Sequence, residues 1–148
     1  APVRAPAGPL VTLHTDLLRL RTEGELAIVD ITGGVRRIVA DAGVSDGLVG
    51  VFVTGSTAAI TTMEYEPGGV QDLRETLARL VPRDRAYQHN VRNFDDNAHS
   101  HLRASLLGPS ETIPLVGGRL VLGTWQQLVL IELDDRPRER ELHVQIVS

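Results

Sequence analysis

Three of the five histidines of this chain lie in one short stretch. His89, His99 and His101 fall within thirteen residues, with Asp96 and Asn97 among them. Histidine is the commonest metal ligand in proteins and the side chain most easily tuned for proton transfer near neutral pH. We therefore expect any reaction centre of this chain to lie in this segment.

Three imidazoles are enough to hold zinc or another divalent metal with one position left open for water or substrate. Asp96 could also ligate a harder ion, and Asn97 could orient a ligand or contact substrate. The alternative is that Asp96 or Asn97 caps the following helix and the histidines are polar surface. The local structure matters, because His99 and His101 share a face on a strand but diverge by about 200° on a helix.

Two carboxylates are further candidates for catalysis. Glu64 follows an apolar strand, and Asp72 is expected in the first turn of the next helix. Both could face one cleft, as acid–base groups or as anchors for Mg²⁺. For Asp72 the alternative is a favourable charge near a helix N-terminus.

Short polar segments next to regular elements could bind a substrate phosphate. Ser56, Thr57 and Ser110 stand in such segments, which can point backbone N–H groups at an anion but also occur in ordinary turns. Trp125, the only tryptophan, stands between Thr124 and Gln126. It either lines a pocket or packs in the core.

Composition limits the range of functions. The 148 residues fit one domain, residues 1–148, with residues 1–9 as a loose proline-rich lead-in. The net charge of −4 and the sequence pI of about 5.7 predict no nucleic-acid or membrane partner. Apolar runs stay well below the ~20 residues of a membrane span, so we expect a cytoplasmic protein.

Two residue types are missing from the sequence. There is no cysteine, which excludes disulfides, thiolate nucleophiles and zinc–thiolate sites. All fifteen basic residues are arginines, which excludes a Schiff-base lysine and the lysine of a Walker phosphate loop. Catalysis would therefore need histidine, carboxylate, hydroxyl or arginine side chains, or a metal.

Hydrophobic patterns predict seven or eight strands and about three helices in an α+β domain built on antiparallel sheet. A repeated strand–helix–strand pattern is missing, and the last four strands are expected to form a meander. The third strand is apolar nearly throughout, which predicts burial on both faces. The predicted strands are 10–22, 25–32, 47–53, 57–65, 111–115, 119–122, 125–133 and 140–147, and the predicted helices are 35–43, 70–80 and 100–107.

Three sequence blocks carry a resemblance to a known family. They read GSTAAITTMEYEPGGVQDL, YQHNVRNFDDNAHSHLRASLLGPS and GGRLVLGTWQQLVLIELDDRPRERELHVQIV. Together they resemble the YjbQ family of secondary thiamine-phosphate synthase enzymes, from about Gly47 to the C-terminus. The resemblance implies a single α+β domain with a β-sandwich-like body, and a homotrimer.

The resemblance also implies site residues. The acidic positions of the family fall on Glu64 and Asp72, and its histidines fall on His89 and His101. Other matching positions are Ser105, Gly108, Ser110, Gly123, Thr124, Trp125 and Gln126. Many members carry His-Thr-Ser or His-Thr-Thr where this chain has Gly55-Ser56-Thr57, and we hypothesise that His99 replaces the missing histidine.

The implied activity joins a pyrimidine pyrophosphate to a thiazole phosphate and releases pyrophosphate. Arg103 would be the nearest candidate to bind phosphate. Mg²⁺ held by substrate phosphates, with Glu64, Asp72 and Asp96 as anchors, or zinc at the histidines would be the metal, with no organic cofactor. Two alternatives stay open: a metal-dependent hydrolase or transferase acting on another phosphorylated metabolite, and a non-catalytic trimer that binds a small anion or metal.

Overall fold

The computed structural model describes residue 8 and residues 10–148, so the predicted lead-in over residues 1–9 lies outside the described residues apart from Gly8. Over the described range the chain forms eight strands and four helices. In order they are β1 (Leu13–Arg21), β2 (Ala27–Asp30), α1 (Thr32–Ala42), β3 (Gly47–Val53), β4 (Ala58–Met63), α2 (Pro67–Leu80), α3 (Gln88–Asn93), α4 (Ala98–Leu107), β5 (Ser110–Val116), β6 (Arg119–Leu120), β7 (Gln127–Glu132) and β8 (Glu139–Val147).

The strands form two sheets whose described pairings are all antiparallel. The larger sheet has the order β1-β8-β3-β5-β6, and the smaller has the order β2-β7-β4. One hydrophobic core fills the space between the sheets, and α1 contributes to it. A second core lies between the smaller sheet and helices α2 and α4. The prediction of a single α+β domain with a sandwich-like antiparallel body is confirmed.

Strand β7, rather than β3, is the strand buried on both faces. Leu128 and Leu130 of β7 point into the first core, whereas Val129 and Ile131 point into the second. In β3 burial alternates, and Leu48 and Phe52 are exposed on the outer face of the larger sheet. The predicted double burial of β3 is therefore wrong, because the outward residues of this strand face solvent.

The predicted meander of the last four strands is also wrong. Only β5 and β6 form a hairpin, since β7 crosses into the smaller sheet and β8 returns to pair with both β1 and β3. The hydrophobic pattern marks strands but does not say which strands pair, because pairing depends on contacts that are distant in sequence.

Helices α1 and α2 begin earlier than the periodicity predicts. Thr32 donates its backbone N–H to Asp30, and the glycines that follow lie inside the first turn of α1. Helix α2 begins at Pro67, and the carboxylate of Glu66 accepts from the N–H groups of Gly68 and Gly69. Proline at the first helical position and an acidic cap are typical helix starts. Asp72 therefore stands beyond the first turn.

A short helix, α3, precedes α4 and was not expected from the sequence. It ends at Phe94, which has φ +52° and an exposed side chain. Asn90 of α3 accepts a hydrogen bond from the backbone of Ala98, the first residue of α4. The two helices are thus tied together at the histidine-rich segment. Within the described range, no helix has both the length and the apolarity needed to span a membrane.

Candidate functional site

His89 and His101 come together as the centre of the candidate site. His89 lies on α3 and His101 on α4, and their ring centroids are 4.8 Å apart with the ring planes tilted by 44°. Both side chains are half-buried. Nδ1 of His89 lies 3.2 Å from Oδ1 of Asn90, the residue that joins α3 to α4. The pair therefore presents two imidazoles at an accessible surface.

His99 turns away from this pair and into the protein. It is fully buried, and its Nε2 lies 3.1 Å from Oε1 of Glu25 without the alignment of a hydrogen bond. The cause is that α4 begins at Ala98, so His99 and His101 are both helical and point in different directions. Over residues 10–148 no three histidine, aspartate or glutamate side chains converge as metal ligands. The predicted three-imidazole set is not formed within one described chain.

Arg103 was predicted to bind substrate phosphate, but the structure gives its guanidinium other partners. The side chain is buried, and Nη1 donates to Oε1 of Glu25 over 2.8 Å. Nε and Nη2 both donate to the carbonyl of Val81, over 3.0 and 2.9 Å. Arg103 therefore fastens α4 to the end of α2.

Glu25 is the hub of this cluster. Besides Arg103 and His99, it receives Nη1 of Arg83 at 3.2 Å. Arg83 also lies 3.7 Å from Asp135 in the β7–β8 turn. A hydrogen bond with the side chain of Asp134 raises the pKa of Asp135, and burial and the negative charges of Asp96 and Asp134 raise it further.

Four buried polar atoms at the start of α4 have no hydrogen-bond partner among the described residues. They are Oδ1 of Asn97, both ring nitrogens of His99, and Oγ of Ser100. Asn97 precedes the helix but does not cap it with its side chain. Buried polar groups without partners are rare in native proteins, and each needs an explanation. Their concentration beside His101 marks this turn as unusual.

The predicted acidic residues are exposed and stand apart from the histidines. Glu64 follows β4 and Asp72 lies on α2, and in the described part of the chain neither makes a hydrogen bond or ion pair with His89 or His101. The acidic and histidine positions are therefore not joined by direct contacts within one chain. Asp96 is exposed too, whereas Asn97 is half-buried.

The polar segment before β7 lies beside the end of β4. Nε2 of Gln126 donates to Oγ1 of Thr62 over 3.1 Å, and the N–H of Gly123 donates to Oε1 of Gln126 over 3.0 Å. Thr124 is exposed, and Trp125 keeps 72% of its surface exposed. The alternative that Trp125 packs in the core is therefore wrong.

Of the remaining predicted phosphate-binding residues, Ser56 and Ser110 are exposed, whereas Thr57 is buried. Thr57 belongs to an ionic network around Glu132 and Arg140. Nε and Nη2 of Arg140 donate to the two oxygens of Glu132 over 2.8 and 2.5 Å. Nη2 also donates to the carbonyl and the hydroxyl of Thr57, over 3.1 and 2.9 Å. Thr57 thus serves this network.

The network continues on both sides. Oγ1 of Thr22 donates to Oε2 of Glu132 over 2.7 Å, and Oγ1 of Thr57 donates to Oδ2 of Asp134 over 3.2 Å. Burial of Asp134 favours its neutral form, but hydrogen bonds from Asp135 and the charge of Arg138 outweigh this and lower its pKa. The ionised carboxylate is the form that the folded protein favours.

Comparison with known proteins places the chain in a family. The family described as "UPF0047 protein YjbQ-like" matches residues 16–148. A UPF0047 protein of Methanothermobacter thermautotrophicus is 40% identical over 141 residues, which cover 95% of this chain and 96% of the relative. This chain belongs to the YjbQ-like UPF0047 family. The resemblance inferred from the sequence blocks is confirmed.

Solved structures agree with this assignment to the YjbQ-like family. A crystal structure from Sulfolobus solfataricus, described as a YbjQ-like protein of unknown function, matches with a TM-score of 0.88 and 36% identity, covering 94% of this chain and 99% of that chain. A hypothetical protein from Aeropyrum pernix matches with a TM-score of 0.84 and 37% identity, covering 90% and 97%. The relatives thus share the fold, and the first is described as having no known function.

Sequence reasoning missed three residues that organise this YjbQ-like protein: Glu25, Glu132 and Arg140. A usable signal existed for Glu132, because a glutamate in the apolar run LVLIEL can be buried only with a cationic partner. For Glu25 there was none, since its partners come from α4 and from the segment after α2.

Proposed function

We propose that this protein catalyses group transfer on a small phosphorylated metabolite, with His89 and His101 as the catalytic residues. The observation that carries the proposal is the pair of half-exposed imidazoles with centroids 4.8 Å apart. The unpartnered polar atoms of Asn97 and Ser100 at the start of α4 support it, because such groups are tolerated more readily at functional sites than elsewhere.

In the reaction that the family resemblance implies, the thiazole nitrogen attacks the methylene carbon of the pyrimidine pyrophosphate. A carbon–nitrogen bond forms, the carbon–oxygen bond breaks, and pyrophosphate leaves with the bonding electrons. The developing charge lies on the pyrophosphate oxygens, where hydrogen-bond donors stabilise the transition state. Imidazole N–H groups of His89 and His101 would donate there. Thiamine-phosphate synthesis is therefore our specific proposal.

A divalent metal could bind at His89 and His101 only if further ligands joined them. His89 and His101 supply two nitrogen ligands, whereas zinc sites usually use at least three protein ligands. Since no third ligand joins them over residues 10–148, the described residues do not complete a metal site within one chain. Mg²⁺ carried by substrate phosphates stays a prediction.

The test is to mix the protein with the pyrimidine pyrophosphate and the thiazole phosphate and to measure thiamine phosphate and pyrophosphate together. We expect both products in equal amounts, and at least about a hundredfold loss with His89→Ala or His101→Ala, the usual size of the loss when one donor to a developing oxyanion is removed. His14→Ala is the matched control, because His14 is also half-buried but lies on β1. Equal activity in all three variants would contradict the proposal.

The same assay separates the alternatives. Phosphate release from other phosphorylated metabolites without thiamine phosphate would favour a hydrolase or a different transferase. Tight binding of substrate without any product would favour a non-catalytic binding protein. In both cases the histidine variants show whether the ligand lies at the proposed pair.

We further propose that the protein forms a homotrimer. The support is the outer face of the larger sheet, where Leu13 and Leu48 both lie opposite Val147 in register and all three are exposed. Phe52 is exposed on the same face. Light scattering after size exclusion should give three times the 16.1 kDa chain mass. Phe52→Glu should weaken the assembly if this face is the interface. A parent protein that is monomeric in solution would contradict the proposed trimer.

A further inference from the structure

The guanidinium of Arg140 is held rigidly on one side and has a free nitrogen on the other. Arg140 is only 4% exposed, and Nε and Nη2 make four hydrogen bonds to Glu132 and Thr57. Nη1 makes no hydrogen bond with any described residue. An arginine fixed by a carboxylate along one edge is preorganised to contact an oxyanion with its remaining N–H groups.

The free nitrogen lies directly beside Gly55. A β-carbon at position 55 would be 2.7 Å from Nη1 of Arg140, and Gly55 has φ +124°, which other residues rarely adopt. Gly55 and Ser56, in the β3–β4 loop, are exposed. Glycine at position 55 therefore lets Nη1 approach the exposed β3–β4 loop closely, where any side chain would collide with it.

We propose that Nη1 of Arg140 binds an oxyanion of a phosphate-bearing ligand at the β3–β4 loop, beside Gly55. Arg140 also lines a cavity of about 530 Å³ together with residues of β1 and β8, although Gly55 and the rest of the β3–β4 loop do not line it. The cavity wall carries both signs of charge, since Arg19 pairs with Glu141 at 2.7 Å and Arg21 lies opposite Glu139. The preference for an anion therefore comes from the free N–H groups of the guanidinium and not from net charge.

This site does not depend on the proposed chemistry at the histidines. The protein ligand is a residue of β8, and its partners are Glu132 on β7 and Thr57 before β4. A phosphate group held here would be one anchor of a ligand, whether or not His89 and His101 catalyse its reaction. Loss of either site can be measured without loss of the other.

The test uses inorganic phosphate, followed by NMR of the backbone amides and of the Arg140 side chain. Phosphate should shift the signals of residues 54–57 and 139–141, and acetate should shift them less because it carries less charge. Removing Arg140 would also break its buried pair with Glu132, so the informative variant is Gly55→Ala. It keeps both charged residues but places a methyl group 2.7 Å from Nη1, so that Nη1 has to shift.

Gly43→Ala is the matched control, because Gly43 also has positive φ, at +66°, but a β-carbon there meets nothing within 4 Å. We expect Gly55→Ala to weaken phosphate binding at least about tenfold, a change of about 1.4 kcal/mol. Gly43→Ala should bind phosphate at the β3–β4 loop like the parent protein. The proposal is overturned if phosphate shifts no signal in these segments, if it shifts only those around the histidines, or if Gly55→Ala binds as tightly as the parent.

Discussion

Two polar clusters of this protein are built in opposite ways. The His89–His101 pair sits on two short neighbouring helices, is half-exposed, and lies beside polar atoms without partners. The Glu132–Arg140 pair lies on two strands, is almost completely buried, and has nearly every hydrogen bond satisfied. The first arrangement is suited to exchange with a ligand and the second to holding a geometry fixed. The residue types in the sequence therefore do not show which cluster is open to a ligand and which one holds the fold.

The largest loss in the free energy of unfolding is expected for Glu132→Ala. The variant leaves the Arg140 guanidinium buried without its counter-charge, which typically costs about 3–5 kcal/mol. Urea unfolding measures the loss of the free energy of unfolding. Glu139→Ala, at an exposed position of β8, should change stability by less than about 0.5 kcal/mol. Similar stability in both variants would mean that the network contributes little.

Arg103→Ala comes next in expected size. It removes three hydrogen bonds and leaves the carbonyl of Val81 without them, so we expect a loss of about 2–3 kcal/mol in the free energy of unfolding. Arg92→Ala, at an exposed arginine of α3, is the control. If Arg103→Ala keeps its stability but loses substrate binding, the phosphate-binding role predicted from the sequence is right and the structural role is wrong.

Asp134 and Asp135 should affect the stability of the folded protein with opposite dependence on pH. The pKa of Asp134 is lowered from its ordinary value of 3.8, so its contribution is present above that value and is lost as the pH falls through the folded-state pKa. Asp134→Asn should therefore destabilise the protein at about pH 7 and have a smaller effect at about pH 3.

The pKa of Asp135 is raised, mainly by its hydrogen bond with the Asp134 side chain, so ionising it disfavours the folded state as the pH rises. Asp135→Asn should consequently have the opposite sign and relieve this penalty at about pH 7, when thermal unfolding is followed across the pH range. If the stability of both variants changes with pH in the same way, the pKa values of Asp134 and Asp135 are not shifted in opposite directions.

The smallest stability effect is expected for the His89–His101 pair, which we propose as catalytic. His89→Ala and His101→Ala should each change the free energy of unfolding by less than about 0.5 kcal/mol, because both side chains are half-exposed. Urea unfolding of the variants used in the activity assay measures this. A loss of several kcal/mol would mean that the pair supports the fold, and a loss of activity could then not be read as catalysis.

The sequence predicted regular elements better than their assembly. Strand β3 was predicted with the observed bounds, Gly47–Val53, because a break lies at each end of an apolar run. Helix α3 was missed, since the six residues from Gln88 to Asn93 are too few to show a helical period and bury no side chain. The wet outer face of β8 is confirmed, as its alternation predicts, whereas the covered second face of the smaller sheet was beyond the sequence, because it depends on the packing of α2 and α4.

The candidate site was predicted in part for the same reason. His89 and His101 meet because neighbouring helices bring nearby residues together, a contact that is local in the chain. Glu132 depends on Thr22, which is 110 residues away, and Arg103 depends on Val81 and Glu25, which come from other elements. Contacts at such separations leave no periodic pattern in the sequence.

The position of β8 has a consequence for how the chain folds during synthesis. β8 lies between β1 and β3 in the larger sheet, and in the described structure β1 pairs with no other strand. Strand β1 precedes the other described strands in the chain, so it must wait with unpaired edges until residues up to Val147 have left the ribosome. Sheets whose pairing joins distant segments fold slowly and expose their edges to other chains in the meantime. During this interval the nascent chain should depend most on chaperones.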